Sequence, residues 1–228
     1  VIKATRLVRL GKPDYRFDNW GARISEVITG LLGQKKVLKE IIAGGIHVMM
    51  FWGFLMLSTD MFDLATGNWF SHNLLPEVIN GPWNIMVEFG YFIAFIGCTL
   101  ALIRRIVFTP EKLKGMSQVE GNAILLLIMT ITTTAFVVEA GEAGVSKTWE
   151  PIGYWVAQTI TPSITMVVVA YWVHMLAIAT FLILIPLSKH MHLVMALPNV
   201  FFHDMTPMGT MLPLAIGEDG KAVPLDDL

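Results

Sequence analysis

Four long apolar segments, separated by polar connectors, dominate the pattern of this chain. They run over roughly 41–60, 84–103, 122–140 and 164–187. A helix that rises about 1.5 Å per residue needs about 20 apolar residues to cross the hydrocarbon core of a bilayer. The pattern therefore predicts an all-α protein: an integral membrane helical bundle with four visible transmembrane helices.

The polar segments around the bundle divide the chain into three predicted parts. Residues 1–40 form a basic segment, residues 41–192 the transmembrane bundle, and residues 193–228 a tail or linker. The whole stretch 188–228 is rich in Pro, Gly and Asp, a composition that favours extended chain over helix.

Lysine and arginine are placed very unevenly between the two sides of this bundle. Of the 16 basic residues, all but Lys147 fall before the first apolar segment, in the connector 104–121, or after the last apolar segment. Connectors rich in Lys and Arg stay on the cytoplasmic side of a membrane. The chain is therefore predicted to be a multi-pass membrane protein with both visible termini in the cytoplasm.

Composition excludes several other classes of protein. Hydrophobic residues make up 54% of the chain and charged residues 15%, which is too apolar for an ordinary soluble domain. We expect contact with membrane lipid and not with nucleic acid. The single cysteine, Cys98, excludes an intrachain disulfide, and by itself it can hold neither an iron–sulfur cluster nor a structural zinc ion.

Histidines inside or at the edge of the apolar segments are the first candidates for chemistry. An imidazole within a membrane span is costly unless it serves a proton route or a metal, and paired helix-borne histidines most often bind haem iron. On one continuous helix, His174 and His192 lie about five turns apart on the same face. By depth, His47 can pair with either of them. The alternative is that His47 and His174 are neutral and bonded to neighbouring helices.

Two further groups of residues suit a cofactor or substrate. Gly44, Gly45 and Gly53 flank His47 and either admit a flat macrocycle or pack helices closely. Glu88 and Glu139 lie in the outer halves of their spans, where they either supply protons to a quinone or border the membrane interface.

The last apolar segment, HMLAIATFLILIPLSKHMHLVMALPN, resembles the last helix of the gamma subunit of respiratory nitrate reductase. In that family, two histidines at this spacing flank an FPFSR-type segment, matched here by IPLSK at 185–189. The resemblance implies that His47 and His192 ligate the iron of an inner b-type haem. It pairs His174 with position 57 at an outer haem, and position 57 is a leucine here. We therefore expect one haem, and two only where another residue such as His72 replaces the missing ligand.

The segments RLVRLGKPDYRFDNWGARI and GLLGQKKVL resemble a narrower group. This group is the membrane part of prokaryotic heterodisulfide-reductase-like iron–sulfur proteins, including those that oxidise electron-transfer flavoprotein and reduce menaquinone. In these proteins an extra helix precedes the basic segment, and a domain with [4Fe–4S] clusters follows a tail like MLPLAIGEDGKAVPLDDL. The resemblance implies a fifth helix before Val1, clusters only on a partner or a missing domain, and a place in the prokaryotic cytoplasmic membrane.

The function implied is that of a membrane subunit or domain of a quinone-linked oxidoreductase. Electrons would pass between a cytoplasmic iron–sulfur partner, with electron-transfer flavoprotein as the donor, and menaquinone or another quinone through haem b. His174 is expected to bond a quinone carbonyl, with Glu88 and Glu139 supplying protons. The alternatives are a haem-free proton or ion relay and a plain membrane anchor.

Overall fold

Helices form all the regular structure in the described part of the chain, which comprises residues 16–66, 76–108, 118–141 and 147–206 of a computed structural model. Four helices are long and apolar enough to cross a membrane: α2 (Ile41–Thr66), α3 (Glu77–Ile106), α4 (Gln118–Ala140) and α6 (Ile164–Leu184). Three further α-helices are short: α1 (Trp20–Glu26), α5 (Pro151–Ile160) and α7 (His192–Phe201). The described residues also contain a π-helical segment, Val27–Leu32, and 3₁₀ turns at Val37–Lys39, Ile185–Leu187 and Lys189–Met191. The predicted all-α bundle with four visible membrane spans is therefore confirmed.

The bundle has two chemically different ends. We call the end where α2 begins and where α3 and α6 finish the basic end, and the other the far end. Both α2 and α3 extend beyond the predicted apolar segments at the far end, where Asp63 and Asn80 are buried. An apolar segment in the sequence marks the residues that contact lipid. A helix can continue beyond it through polar residues that face other helices, so the helices are longer than the predicted segments.

The central helix of the bundle is α3, which is the most enclosed of the four spans and packs against both α2 and α4. Glycines bring α2 and α3 together. A Cβ on Gly53 would lie 2.5 Å from the backbone nitrogen of Ala94, and one on Gly90 would lie 2.6 Å from Cβ of Met56. Small residues allow the backbones of membrane helices to approach closely. Gly53 therefore has the helix-packing role.

The last span does not continue to the second histidine. Helix α6 ends at Leu184, a 3₁₀ turn covers Ile185–Leu187, and Ser188 is extended with φ −121° and ψ −179°. Proline has no amide hydrogen and restricts the residue before it, so Pro186 interrupts the helical ladder. The prediction that one helix carries His174 and His192 on a single face is wrong. The predicted extended chain over 188–228 is also wrong for residues 192–201, which form α7; residues 207–228 lie outside the described residues.

A buried arginine joins the two terminal segments at the basic end. Arg23 is 3% exposed and donates hydrogen bonds to the carbonyl oxygens of Asp18, Phe201 and His203 at 2.9–3.0 Å. It also forms an ion pair of 2.7 Å with the Asp18 carboxylate. The rings of Trp20 and Phe201 pack beside it, 5.2 Å apart. These contacts hold the end of α7 against the segment around α1.

Replacing Arg23 with alanine is expected to release α7 from α1. Hydrogen bonds from a charged group contribute about 1.5–3 kcal/mol each, and the change leaves several backbone carbonyls without their donor. Amide hydrogen exchange should rise across α7, while exchange in α3 and α4 stays unchanged. Arg16→Ala is the matched control. Arg16 precedes α1, and its guanidinium donates to the carbonyl oxygen of Phe202, the residue after α7, at 2.9 Å. Equal exchange in the two variants would contradict the role of Arg23.

The same contact has a defined response to pH. The hydrogen bond from Arg23 holds the pKa of Asp18 below its ordinary value. A carboxylate whose pKa is lower in the folded protein contributes above its unfolded pKa, and this contribution is lost as pH falls through the folded value. The ion pair is therefore complete at neutral pH, and α7 should loosen only in acid.

Candidate functional site

His47 and His192, which are far apart in the sequence, come within electrostatic range of each other at the basic end. His47 lies in the second turn of α2, where it is half-buried, and its Nδ1 atom is buried without a hydrogen bond to any described residue. His192 is the first residue of α7, is exposed, and lies near enough to His47 for an electrostatic interaction. After the break that follows α6, α7 packs against the segment around α1, which precedes the helix that carries His47.

The glycines beside His47 do different things. A Cβ on Gly44 would lie 2.9 Å from the carbonyl carbon of Val37, so this glycine lets α2 pack on the turn that precedes it. Gly45 has nothing within 4 Å of the same position. Of the three glycines, Gly45 therefore leaves open space beside the backbone.

A cavity of about 140 Å³ lies between α2, α3, α4 and α6. Its walls are mainly aliphatic and aromatic, and its polar side chains gather toward the far end: Ser58, Asp60, Tyr91 and His174. A buried cavity of about 150 Å³ holds one benzene molecule. The cavity therefore has room for about one six-membered ring.

His174 is fixed to α4 and also lines this cavity. Its Nδ1 atom lies 3.0 Å from the carbonyl oxygen of Ile131 and 3.0 Å from Oγ1 of Thr134. Because a carbonyl oxygen only accepts, we assign the proton of the neutral ring to Nδ1, which makes Nε2 an acceptor. The ring gains a second donor when it is protonated.

A tyrosine–aspartate pair stands beside His174. The Tyr91 hydroxyl donates to Oδ2 of Asp60 at 2.8 Å, and Asp60 interacts electrostatically with His174. Sequence reasoning missed both residues. The one available signal was spacing: Asp60 lies three residues after Leu57 on α2, and Tyr91 three residues after Glu88 on α3, positions that share a helix face.

The two glutamates singled out in the sequence meet at the start of α5. The backbone N–H of Gly153 donates to Oε1 of Glu88 at 2.6 Å, and Glu88 is 2% exposed. A Cβ on Gly153 would lie 2.5 Å from the carboxyl carbon of Glu139, which lies beside Glu88 within interaction range. Helix α5 falls in a predicted connector, so no pattern in the sequence indicates that its Gly153 amide donates to Glu88.

The remaining predicted residues divide between the cavity and the rest of the chain. Leu57, which replaces the expected fourth haem ligand, lines the same cavity as His174. His72 lies outside the described residues. Cys98 is fully buried and unbonded. Within the described ranges, no group of three or more His, Cys, Asp or Glu side chains could hold a metal ion.

Comparison with known proteins gives two relatives. "Probable iron-sulfur-binding oxidoreductase FadF" of Bacillus subtilis (strain 168) is 28% identical over 235 residues, which cover 95% of this chain and 32% of the relative. "EtfAB:quinone oxidoreductase" of Syntrophomonas wolfei subsp. wolfei is 27% identical over 229 residues, covering 90% of this chain and 31% of the relative. This chain thus spans about a third of the length of these relatives. No protein-family model matches it, and no solved structure does.

These relatives bear on the resemblances noted in the sequence. Both are named as oxidoreductases, one iron–sulfur-binding and the other acting on a quinone. They support a relationship to electron-transfer oxidoreductases. The resemblance to the nitrate reductase gamma subunit, and the haem that it implies, stay predictions.

Proposed function

We propose that this chain is the membrane part of a quinone-linked oxidoreductase, which carries electrons between an iron–sulfur partner and a membrane quinone through one b-type haem. The observation that carries the proposal is the layout of the three histidines. His47 and His192 lie within electrostatic range of each other at the basic end, and His174 lines a cavity whose polar side chains gather toward the far end. Along α2, the cavity residue Asp60 lies about 20 Å beyond His47.

The residues at the basic end fit a haem with two histidine ligands. Iron needs one imidazole nitrogen from each ligand that no other group occupies. His47 Nδ1 is buried and has no hydrogen bond to a described residue, a costly state that a ligand to the ring would explain. His192 is exposed and within electrostatic range of His47, so its ring is accessible to a ligand. When bound, a b-type haem supplies reversible one-electron transfer.

The cavity suits a quinone head group. Its volume accommodates about one ring, and its polar side chains lie together at one edge of an apolar space, as ligand sites require. Protonated His174 would donate from Nε2 to a quinone carbonyl, while the ring stays fixed through Nδ1 and the neighbouring Asp60 carboxylate stabilises the charge.

Partner and orientation follow from charge and from the relatives. The chain has one cysteine, and it is buried, so iron–sulfur clusters would lie on another domain or subunit. Positive charge concentrates at the basic end, which would face the cytoplasm of a bacterial cell and receive that partner. We extend the names of the relatives by proposing electron-transfer flavoprotein as the electron donor and menaquinone as the electron acceptor.

The test is a haem count followed by an oxidation assay. Pyridine haemochrome analysis of the purified chain should give about one b-type haem per polypeptide. After reduction with dithionite, the haem should be reoxidised by a soluble menaquinone analogue. A chain without haem would overturn the proposal in favour of a proton relay or an anchor, and a ratio of two would show that His174 has another ligand partner, with His72 the first to examine.

A further inference from the structure

Glu88 is a buried carboxylate whose two oxygens have different surroundings. Oε1 accepts from the Gly153 amide at 2.6 Å, whereas Oε2 is buried without a formed hydrogen bond to a described residue. The Glu139 carboxyl group lies beside it. Two carboxylates held this close in an apolar bundle repel each other strongly, and a single proton shared between them removes the repulsion.

The polar groups continue from this pair toward the cavity. Tyr91, one turn beyond Glu88 on α3, interacts electrostatically with Glu139, and its ring packs against Phe136. The Tyr91 hydroxyl bonds Asp60, which lines the cavity beside His174. At the other end, Glu139 is the last residue but one of α4, close to the far-end surface. These groups therefore lie in order between the far-end surface and the cavity, with Tyr91 as the member that is hydrogen-bonded to the cavity side.

We propose that Glu88 and Glu139 share one proton and pass protons between the far-end surface and the cavity, through Tyr91 and Asp60. This inference rests on the proposed quinone function. Reduction of a quinone to a quinol takes up two electrons and two protons. The electrons come one at a time from the reduced iron–sulfur partner by way of the basic end. Each proton that His174 gives to a quinone oxygen is replaced through Asp60 and Tyr91 from the carboxyl pair, which is then reprotonated from water.

Infrared spectroscopy tests the shared proton without any assay of quinone reduction. The resting protein should show a protonated-carboxyl band at neutral pH that shifts in D₂O. Glu88→Gln and Glu139→Gln should each remove it, since an amide keeps the shape and still accepts from Gly153. Glu120→Gln is the matched control, because Glu120 lies in the first turn of α4, at the opposite end of the helix that carries Glu139, and should leave the band unchanged. A band that survives both glutamine variants overturns the shared proton.

Turnover then tests the proton path. With the same haem content as the parent, Glu88→Gln and Glu139→Gln should reduce the rate of quinone reduction at least about tenfold, consistent with the loss of a proton-transfer group. Haem reduction from the electron donor should stay at the parent rate. Loss of the band with unchanged quinone turnover would overturn the path. Absence of quinone reduction in the parent protein would instead overturn the proposed function, and the infrared result would still stand by itself.

Discussion

Replacing His47 with alanine is expected to reduce the haem content of the purified chain from about one per polypeptide to nearly zero. His47 is the one member of the pair inside a membrane span, and its buried Nδ1 atom has no hydrogen bond to a described residue. Without this imidazole, a haem held by His47 and His192 would lose one of its two histidine ligands, and the sequence of α2 contains no second histidine and no cysteine. The measurement is pyridine haemochrome against protein concentration, together with the visible spectrum.

The matched control for this experiment lies beside His192. His190 and His192 are two residues apart, and their rings are 5.8 Å apart, so both imidazoles share the same short segment. His190 also contacts the Ser188 hydroxyl at 3.2 Å, which is a local contact within the turn. His192→Ala should lose the haem as His47→Ala does, and His190→Ala should keep it.

Different results would correct the assignment in different ways. A normal bis-histidine spectrum in His47→Ala would remove His47 from the iron. If the single variants His174→Phe and His47→Ala each lost the haem while His192→Ala kept it, His47 would pair with His174 instead. Helix content measured by circular dichroism distinguishes a lost ligand from a misfolded chain.

The sequence predicted the four helices that contact lipid. It did not predict where those helices end or which residues join one helix to another. The spans were visible because lipid selects for long apolar runs. The break after Leu184 was hidden because Ile185 and Leu187 continue the apolar run through the 3₁₀ turn, so that Pro186 was the only local sign. Helix α7 was hidden for a related reason, because a segment with Pro198 inside it has the composition of a linker.

The site was only partly predictable from the sequence for the same reason. His47, His174 and His192 were identified because an imidazole in an apolar run is conspicuous. Asp60 and Tyr91 were missed, because their significance depends on α2 and α3 packing side by side and on one hydrogen bond of 2.8 Å between them. Tertiary contacts of this kind leave no pattern along a single sequence.

Replacing His174 with phenylalanine is expected to reduce quinone turnover by about 100-fold while haem reduction by the electron donor proceeds at the parent rate. A positioned acid or base contributes about 10²–10⁴-fold to a proton transfer, and phenylalanine fills the space of the ring without either function. The two half-reactions are measured separately by following the haem spectrum. Met175→Leu is the control, because Met175 lines the same cavity without a group that can carry a proton.

The neighbours of His174 decide whether this loss is chemical or only steric. Asp60→Asn keeps the volume and the bond from Tyr91 but removes the negative charge that would stabilise a protonated His174. We expect Asp60→Asn to lower the rate of quinone turnover more than it changes the quinone KM, because the negative charge stabilises His174 in the proton-transfer step and not in quinone binding. Tyr91→Phe should have a smaller effect on electron entry than on turnover. Unchanged turnover in His174→Phe would remove His174 from the quinone site and leave its bonds to Ile131 and Thr134 as its whole role.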